Sequence, residues 1–160
     1  MNWLFIDMNS YFASVEQHLR PEFRGRSVAV IPVESENTCV IAASHEAKRF
    51  GVKTGTRVSD ARQMCPGIVL VKARPDLYVK VHHAILRSVD KCAPVHKVYS
   101  IDEWAIRLQG REQKPEVAVA LGTQIKRQLL QDFSPWLTCS IGIAPTRLLA
   151  KIASDLQKPD

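Results

Sequence analysis

The apolar run at residues 3–6 (WLFI) is followed directly by Asp7. The residues at both its odd and its even positions are apolar, which is typical of a strand covered on both faces. A carboxylate at the end of such a strand is costly to desolvate unless a helix cap or a cation compensates its charge. The sequence therefore predicts a buried strand that presents an acidic group to a specific partner.

The composition is typical of a globular protein. The 160 residues are 46% hydrophobic and 24% charged, which excludes a disordered tail. The net charge of +6 permits a polyanionic partner without requiring one. The longest apolar runs are strand-sized, and no basic segment precedes the first of them. We therefore expect neither a membrane span nor a secretory signal. The protein is accordingly expected to be cytoplasmic.

The cysteines are scattered along the chain. They are Cys39, Cys65, Cys92 and Cys139, with no C-x-x-C pair among them. This spacing argues against a zinc finger and against a disulfide scaffold, and it favours reduced thiols.

Hydrophobic periodicity predicts short elements in the first half of the chain and long helices in the second. The expected strands are 3–6, 27–31, 38–42, 68–71, 95–99, 104–108 and 137–143. The expected helices are 10–19, 44–50, 58–64, one with a stripe at Leu77, Val81, Ile85 and Val89, one with a stripe at Val117, Leu121, Ile125 and Leu129, and a closing helix with Leu148, Ile152 and Leu156. This order predicts one sheet domain from the two ends of the chain, interrupted by a smaller lobe at about 21–75.

Acidic residues follow two of these strands. Asp7 ends the first strand, and the pair Asp102 and Glu103 lies between two later strands. Neighbouring carboxylates repel one another, and a hard divalent cation is the usual compensation. Two such ions can activate one oxygen and stabilise a leaving oxygen at phosphorus. Position alone also permits a solvated turn at 102–103 and a helix cap at Asp7.

Five segments resemble four motifs of one known family. Residues 7–16 (DMNSYFASVE), followed by Arg20 and Pro21, resemble the opening motif of Y-family translesion DNA polymerases. Residues 100–103 (SIDE) resemble the second catalytic motif, and 44–52 (SHEAKRFGV) the finger-helix motif. Residues 140–144 (SIGIA) and 149–160 (LAKIASDLQKPD) are similar to the end of the palm. The chain is identified as a member of this family, closest to its bacterial polymerase IV and polymerase V members.

The resemblance implies an α+β fold. Residues 1–20 and 76–160 would form a palm, with a mixed or antiparallel sheet packed on helices. Residues 21–75 would form a small α/β fingers lobe. The thumb and little finger of the family have no counterpart here, so the chain would be a catalytic fragment of a longer protein. Because many basic groups share the DNA phosphate contacts, such a fragment is expected to be weakly active or inactive alone.

The resemblance also implies a metal site. Asp7 and Asp102 would ligate two Mg²⁺ ions, for which Mn²⁺ could substitute. Glu103 would help bind the ion near the primer end, and the backbone carbonyl of Met8 would bind the nucleotide-bound ion. The implied activity is that of a DNA-directed DNA polymerase in damage bypass. A primer 3′-hydroxyl attacks the α-phosphate of a deoxynucleotide and releases pyrophosphate.

The remaining implied site residues bind the nucleotide. Phe12 matches the steric gate, an aromatic ring that collides with a ribose 2′-hydroxyl. The other implied nucleotide-binding residues are Ser10, Tyr11, His45, Lys48 and Lys158. Backbone N–H groups at Ser10 to Phe12 open a helix, which favours phosphate oxygens.

Several positions depart from the family pattern, among them Asn9, Thr146 and Arg147. His45 and Lys48 stand where a tyrosine and an arginine usually hold the triphosphate, so nucleotide affinity is expected to be weaker. Trp104 replaces a small residue and Arg107 an acidic one, which puts the local strand packing in question.

The implied partners are primer-template DNA, deoxynucleoside triphosphates and, through the absent C-terminal region, a sliding clamp. The implied location is the bacterial cytoplasm, with nucleoid association when the enzyme is engaged. A catalytically weak or inactive scaffold in DNA damage tolerance is the alternative function. The retention of Asp7, Asp102 and Glu103 argues against it.

Overall fold

The computed structural model of the protein describes residues 1–158 and forms two compact units. In chain order its elements are β1 (Trp3–Met8), α1 (Tyr11–Leu19), β2 (Val28–Ile31), β3 (Ala42–Ala43), α2 (His45–Lys48), α3 (Val58–Met64), β4 (Val69–Lys72), α4 (Pro75–Asp90), β5 (Lys97–Val98), β6 (Glu103–Arg107), α5 (Pro115–Asp132), β7 (Cys139–Ala144) and α6 (Arg147–Leu156). Short 3₁₀ helices span Pro21–Phe23 and Gly110–Gln113. This mixture confirms the α+β class. Residues 159 and 160, the last of the expected palm, lie outside the described part.

The boundaries of the two units differ from the expected palm and fingers ranges. The first unit contains Met1–Asn9 and the described residues from Val79 onward, and the second contains Ser10–Tyr78. Helix α1 belongs to the second unit because it packs against β2 and β3. The names palm and fingers for these units stay predictions.

The first unit contains a four-stranded sheet in the order β5-β6-β1-β7. All neighbouring strands are antiparallel, and β1 lies between β6 and β7. The predicted first strand is confirmed and extends two residues further, so that Asp7 and Met8 belong to the ladder. Asp7 is therefore a strand residue and not the turn that follows one.

The second unit contains a three-stranded mixed sheet in the order β3-β2-β4. Strand β4 runs parallel to β2, and β3 runs antiparallel to it. The strand predicted at 38–42 is only partly correct, because pairing with β2 is limited to Ala42 and Ala43. Val40 instead exchanges backbone hydrogen bonds with Thr56 and Gly55. That competing local pairing shortens the expected ribbon.

Helices α5 and α6 cover opposite faces of the first sheet. Ile141 of β7 lies next to Gly122 of α5, whereas the next residue, Gly142, lies against Ala150 and Ser154 of α6. Successive residues of a strand point to opposite faces, so the two helices are separated by the sheet. No helix within residues 1–158 is long and apolar enough to cross a membrane.

Alternate residues of β1 face α6. Phe5 pairs with Gly142 in the ladder and packs with Ala150 of α6. Because side chains alternate along a strand, Trp3 and Asp7 share this face with Phe5. Asp7 therefore extends from the end of β1 on the side of the sheet that carries α6.

The predicted closing helix is present as α6, but its leucine stripe is not its buried face. Leu148, Ile152 and Leu156 are 65%, 47% and 75% exposed, respectively. The residues that α6 buries are Ala150 and Ser154. Their small side chains let the helix backbone approach the sheet closely, which larger residues would prevent.

We predict that Gly142→Ala destabilises the protein. An added Cβ would lie 1.9 Å from the Ala150 carbonyl oxygen and 2.4 Å from the Ser154 nitrogen, so α6 would have to move. Overpacking of this kind should lower the free energy of unfolding by about 1–3 kcal/mol or more, measured by urea denaturation.

Gly122→Ala is the matched control. Its added Cβ meets Ile141 at 3.5 Å, an ordinary van der Waals contact. Because alanine favours a helix interior over glycine, this variant should gain about 0.5–1 kcal/mol. Equal stability of the two variants would refute the close contact at Gly142.

Candidate metal and nucleotide site

Three acidic residues meet where β1 and β6 adjoin. The ladder pairs Asp7 directly with Glu103. The Met8 N–H donates to the Asp102 carbonyl over 2.9 Å, which brings Asp102 beside the end of β1. The sequence-predicted ligands Asp7, Met8, Asp102 and Glu103 thus occupy adjoining backbone positions in the first unit.

Each of these carboxylates has its own partner. Lys158 donates to Asp7 Oδ2 over 2.6 Å. Lys151 Nζ lies 2.9 Å from Glu103 Oε1. The Ser100 hydroxyl donates to Asp102 Oδ1 over 2.6 Å. Within residues 1–158, no group of three acidic, histidine or cysteine side chains is arranged to hold a metal ion.

The chemistry of these donors nevertheless fits a hard divalent cation. Asp7 is only 6% exposed, and burial raises the pKa of its carboxyl. Lys158 opposes that rise, whereas the charges of Asp102 and Glu103 add to it. The three groups are therefore close enough to repel one another, and they offer the oxygen ligands that Mg²⁺ prefers. Two lysine ammonium groups supply compensating charge in the described arrangement.

The backbone is strained at Ser10, the residue that precedes α1. Ser10 has a φ of 46°, in the left-handed region that non-glycine residues rarely adopt. Its hydroxyl oxygen is buried and has no hydrogen-bond partner within residues 1–158. Such strain persists where the surroundings impose it, and it is common at ligand sites. Tyr11 is buried, and its hydroxyl donates to the Tyr78 carbonyl over 2.8 Å.

The predicted gate residue Phe12 stacks on Tyr78. The two ring centroids are 4.5 Å apart with an interplanar angle of 18°. Phe12 itself is half-buried, so part of its ring remains accessible. The structure therefore gives Phe12 a fixed aromatic support within the second unit.

An ion pair between the buried Glu16 and the partly exposed Arg74 holds Tyr78 in place, and the sequence analysis did not predict it. Glu16 is fully buried and accepts from the Tyr78 hydroxyl over 2.8 Å. Arg74 donates to both oxygens of the same carboxylate, from Nε over 2.9 Å and from a second nitrogen. Burial, reinforced by the bond to Glu16, raises the pKa of Tyr78 well above its usual value. A glutamate four residues after Phe12, on the same helix face, was the available signal.

His45 and Lys48 lie on the short helix α2. The Ser44 hydroxyl caps this helix by accepting from the Ala47 N–H. Glu46 accepts from Gln17 of α1 over 3.1 Å, which links the two helices. Lys48 is exposed and His45 half-buried. The second unit thus brings the predicted residues of α1 and α2 onto two linked helices.

The sheet accommodates both departures on β6. Trp104 is fully buried, and its ring centroid lies 5.5 Å from that of His82. Arg107 is exposed, and its guanidinium lies 4.8 Å from the centroid of the Trp3 ring. Both residues keep their ladder positions opposite β1. The pairing of Asp7 with Glu103 is therefore undisturbed by them.

A sequence profile of the impB/mucB/samB family matches residues 6–155, which is nearly the whole chain. The chain belongs to the impB/mucB/samB family. The chain is similar to DNA polymerase IV of Moorella thermoacetica, with 38% identity over 159 residues. DNA polymerase IV of Sulfurisphaera tokodaii is 31% identical over 160 residues. Each alignment covers 98% of this chain, but only 39% and 45% of the respective relative.

Solved structures of the family have the same fold. DinB from Sulfolobus solfataricus superposes with a TM-score of 0.88 at 31% identity, over 99% of this chain and 46% of that one. An insertion ternary complex of Dbh DNA polymerase gives 0.84 at 31% identity, over 99% and 47%. These matches confirm the resemblance to Y-family polymerases. The chain spans less than half the length of the relatives it matches, and polymerases of this family generally depend on a divalent metal.

We predict that His45 titrates below the ordinary histidine value of 6.5. Burial lowers its pKa first, and the nearby charges of Lys48 and Arg49 lower it further against the opposing effect of Glu46. Protonation is then favoured in the unfolded chain, so His45 costs stability as the pH falls below 6.5. The midpoint can be measured by two-dimensional NMR of the imidazole protons.

Lys48→Gln is the control for that titration. Removing this charge should raise the His45 pKa toward 6.5, because a like charge disfavours the imidazolium form. A wild-type midpoint at or above 6.5, unchanged in Lys48→Gln, would contradict this account of the site.

Proposed function

We propose that the chain is the catalytic part of a Y-family translesion DNA polymerase. The proposed activity is metal-dependent, template-directed transfer of deoxynucleotides to a primer 3′-hydroxyl. The observation that carries the proposal is the register pair of Asp7 and Glu103, with Asp102 beside it, in a chain of the impB/mucB/samB family. A cluster of repelling carboxylates that includes the buried Asp7 is costly for folding alone, whereas a two-metal phosphoryl-transfer site would use it.

The proposed metal ligands are Asp7, Asp102, Glu103 and the Met8 carbonyl. Asp7 and Asp102 would hold two Mg²⁺ ions, with Mn²⁺ as a substitute, and Glu103 would hold the ion near the primer end. When bound, these ions would activate the primer hydroxyl and neutralise charge on the leaving pyrophosphate. The chain's own contribution is to fix the carboxylates on paired strands, where backbone hydrogen bonds limit their movement.

The proposed nucleotide-binding residues are Ser10, Tyr11, Phe12, His45, Lys48 and Lys158. The backbone N–H groups of Ser10, Tyr11 and Phe12 open α1 and would donate to phosphate oxygens. Lys48 and Lys158 would supply positive charge to the triphosphate, and His45 would donate as a neutral imidazole. Phe12, held by its stack on Tyr78, would exclude a ribose 2′-hydroxyl.

Primer-template DNA and deoxynucleoside triphosphates are the proposed partners, and a sliding clamp belongs to the proposal for the whole protein. A cytoplasmic location with nucleoid association belongs to it as well. The alternative, an inactive scaffold in damage tolerance, gives no reason for the acidic cluster. It remains an outcome of the experiment below.

Primer extension tests the proposal in a chimera. The chain replaces the matching 39% of Moorella thermoacetica DNA polymerase IV, whose remaining residues supply the duplex-binding parts. With Mg²⁺ the chimera should extend a primer, and Asp102→Ala should reduce extension at least about 100-fold. Glu116→Gln, at an exposed acidic position of α5, is the matched control and should keep the activity.

Two results would contradict the proposed mechanism. One is a folded chimera without activity beside an active Moorella enzyme, which favours the scaffold. The other is full activity of Asp102→Ala. Asp102→Asn is tested in parallel, because it keeps the size of the side chain and separates loss of charge from loss of folding.

We also predict that Phe12→Ala in this chimera relaxes sugar discrimination. Removing the ring removes the collision with a 2′-hydroxyl, so the ratio of ribonucleotide to deoxyribonucleotide incorporation should rise by about tenfold or more. Single-nucleotide insertion kinetics measure this ratio. Phe50→Ala, an exposed aromatic of the same unit, should leave it unchanged. An unchanged ratio in Phe12→Ala would mean that another residue is the gate.

A further inference from the structure

Two lysines at the C-terminal end of the first unit contact the carboxylates of the candidate metal site. Lys151 lies in α6 and contacts Glu103, and Lys158 follows α6 and contacts Asp7. They are about two helical turns apart in sequence, so both can reach the same face of the sheet. This face also carries Asp7 and Glu103, as the alternation of β1 requires.

These contacts satisfy a charge requirement of the ladder. Like charges directly opposite each other in an antiparallel pair are destabilising, and Asp7 lies directly opposite Glu103. The Lys158 ammonium lies 2.6 Å from an oxygen of Asp7, and the Lys151 ammonium lies 2.9 Å from an oxygen of Glu103. They therefore stand where compensating cations are needed.

Both lysines can leave these positions without unfolding the sheet. Their side chains are 46% exposed for Lys151 and 32% exposed for Lys158. Lys158 also has an alternative partner in Asp155, at 2.7 Å, which is itself 53% exposed. The carboxylates, in contrast, are held by the strand ladder. Replacement of a lysine ammonium by another cation is thus easier than movement of Asp7 or Glu103.

We infer that Lys151 and Lys158 are resident counter-cations of the acidic site, which a divalent cation displaces when it binds Asp7 and Glu103. This inference rests on the metal role proposed above. A metal ion and a lysine ammonium compete for the same oxygens, because a carboxylate oxygen bonded to one is not free for the other. Metal binding therefore releases two ammonium groups beside the site, where anionic phosphate groups could use them.

The exchange gives Lys151 a function that the family resemblance did not assign to it. In the metal-free protein it stabilises the ladder, and in the metal-bound protein it is available to an anion. The same side chain thus makes metal loading and the binding of a negatively charged ligand favour each other.

The experiment measures Mn²⁺ binding to the full chain without DNA or nucleotide. Free Mn²⁺ is followed by electron paramagnetic resonance at fixed pH and low ionic strength. Lys151→Met and Lys158→Met should each bind Mn²⁺ about two- to fivefold more tightly than the wild type, since each loses a competing ion pair. Lys151→Arg, which keeps the charge, should retain the wild-type affinity.

Lys91→Met is the matched control. Lys91 pairs with Asp132 over 2.7 Å in the same unit, and its loss changes the net charge by the same amount. It should tighten Mn²⁺ binding less than the two test variants, because its partner is not among the acidic residues of the site. Adding Asp7→Asn to Lys151→Met should remove the gain in Mn²⁺ affinity. That result would assign the gain to the acidic site.

Thermal unfolding provides an independent readout. With a chelator, Lys151→Met should melt below the wild type, because Asp7 and Glu103 then repel with less compensation. Added Mn²⁺ should raise its melting temperature more than that of the wild type.

The inference is overturned if Lys151→Met and Lys158→Met bind Mn²⁺ no more tightly than Lys91→Met. It is equally overturned if Lys151→Met keeps its gain in Mn²⁺ affinity after Asp7→Asn is added. If one methionine variant does not fold, the other and Lys151→Arg still decide the question. A chimera without polymerase activity would refute the proposed function and leave this cation exchange intact, so the two failures are distinguishable.

Discussion

The repulsion between Asp7 and Glu103 is the constraint on which the first unit depends. Antiparallel pairing of β1 with β6 fixes these residues opposite each other, and burial of Asp7 denies the charges full solvation. The structure meets this demand with Lys151 of α6 and Lys158 just after it, which contact Glu103 and Asp7 on the same sheet face. The lysines can contact these carboxylates only if α6 lies close to the sheet. The small residues Gly142, Ala150 and Ser154 permit this close approach. The position of α6 is therefore tied to the acidic site as well as to the core.

The second unit solves a different problem, the positioning of an aromatic ring that is only half-buried. Phe12 stacks on Tyr78, whose hydroxyl is bonded to the buried Glu16, and Arg74 neutralises that carboxylate. Glu16 is buried and Arg74 is 37% exposed, and such a charge pair adds little net stability. Its bonds nevertheless fix the carboxylate that accepts from the Tyr78 hydroxyl, and through it the ring on which Phe12 stacks. In each unit, polar groups with specific partners thus position the side chains to which the proposed function assigns a ligand.

Much of this architecture follows from local patterns, and the rest depends on contacts distant in sequence. The continuous apolar run of β1 and the stripes of α4 and α5 predicted those elements, because burial and periodicity are local properties. The buried face of α6 was not predictable, since small residues and not its leucines meet the sheet. The family motifs identified Asp7, Asp102 and Glu103, but no sequence pattern reports that Lys151 and Lys158 contact two of them. Those pairs join residues far apart in the chain, and only the ladder register and the path of α6 bring them together.

The contact at Gly142 has a consequence for mapping function by mutagenesis. This residue has no reactive group, yet any side chain there displaces α6, which contains Lys151 and precedes Lys158. An activity-based substitution scan would consequently score it as intolerant as the acidic residues. A stability measurement on the same library would separate the two classes, since Gly142 variants would lose abundance together with the proposed activity, whereas conservative changes at Asp102 would lose that activity alone.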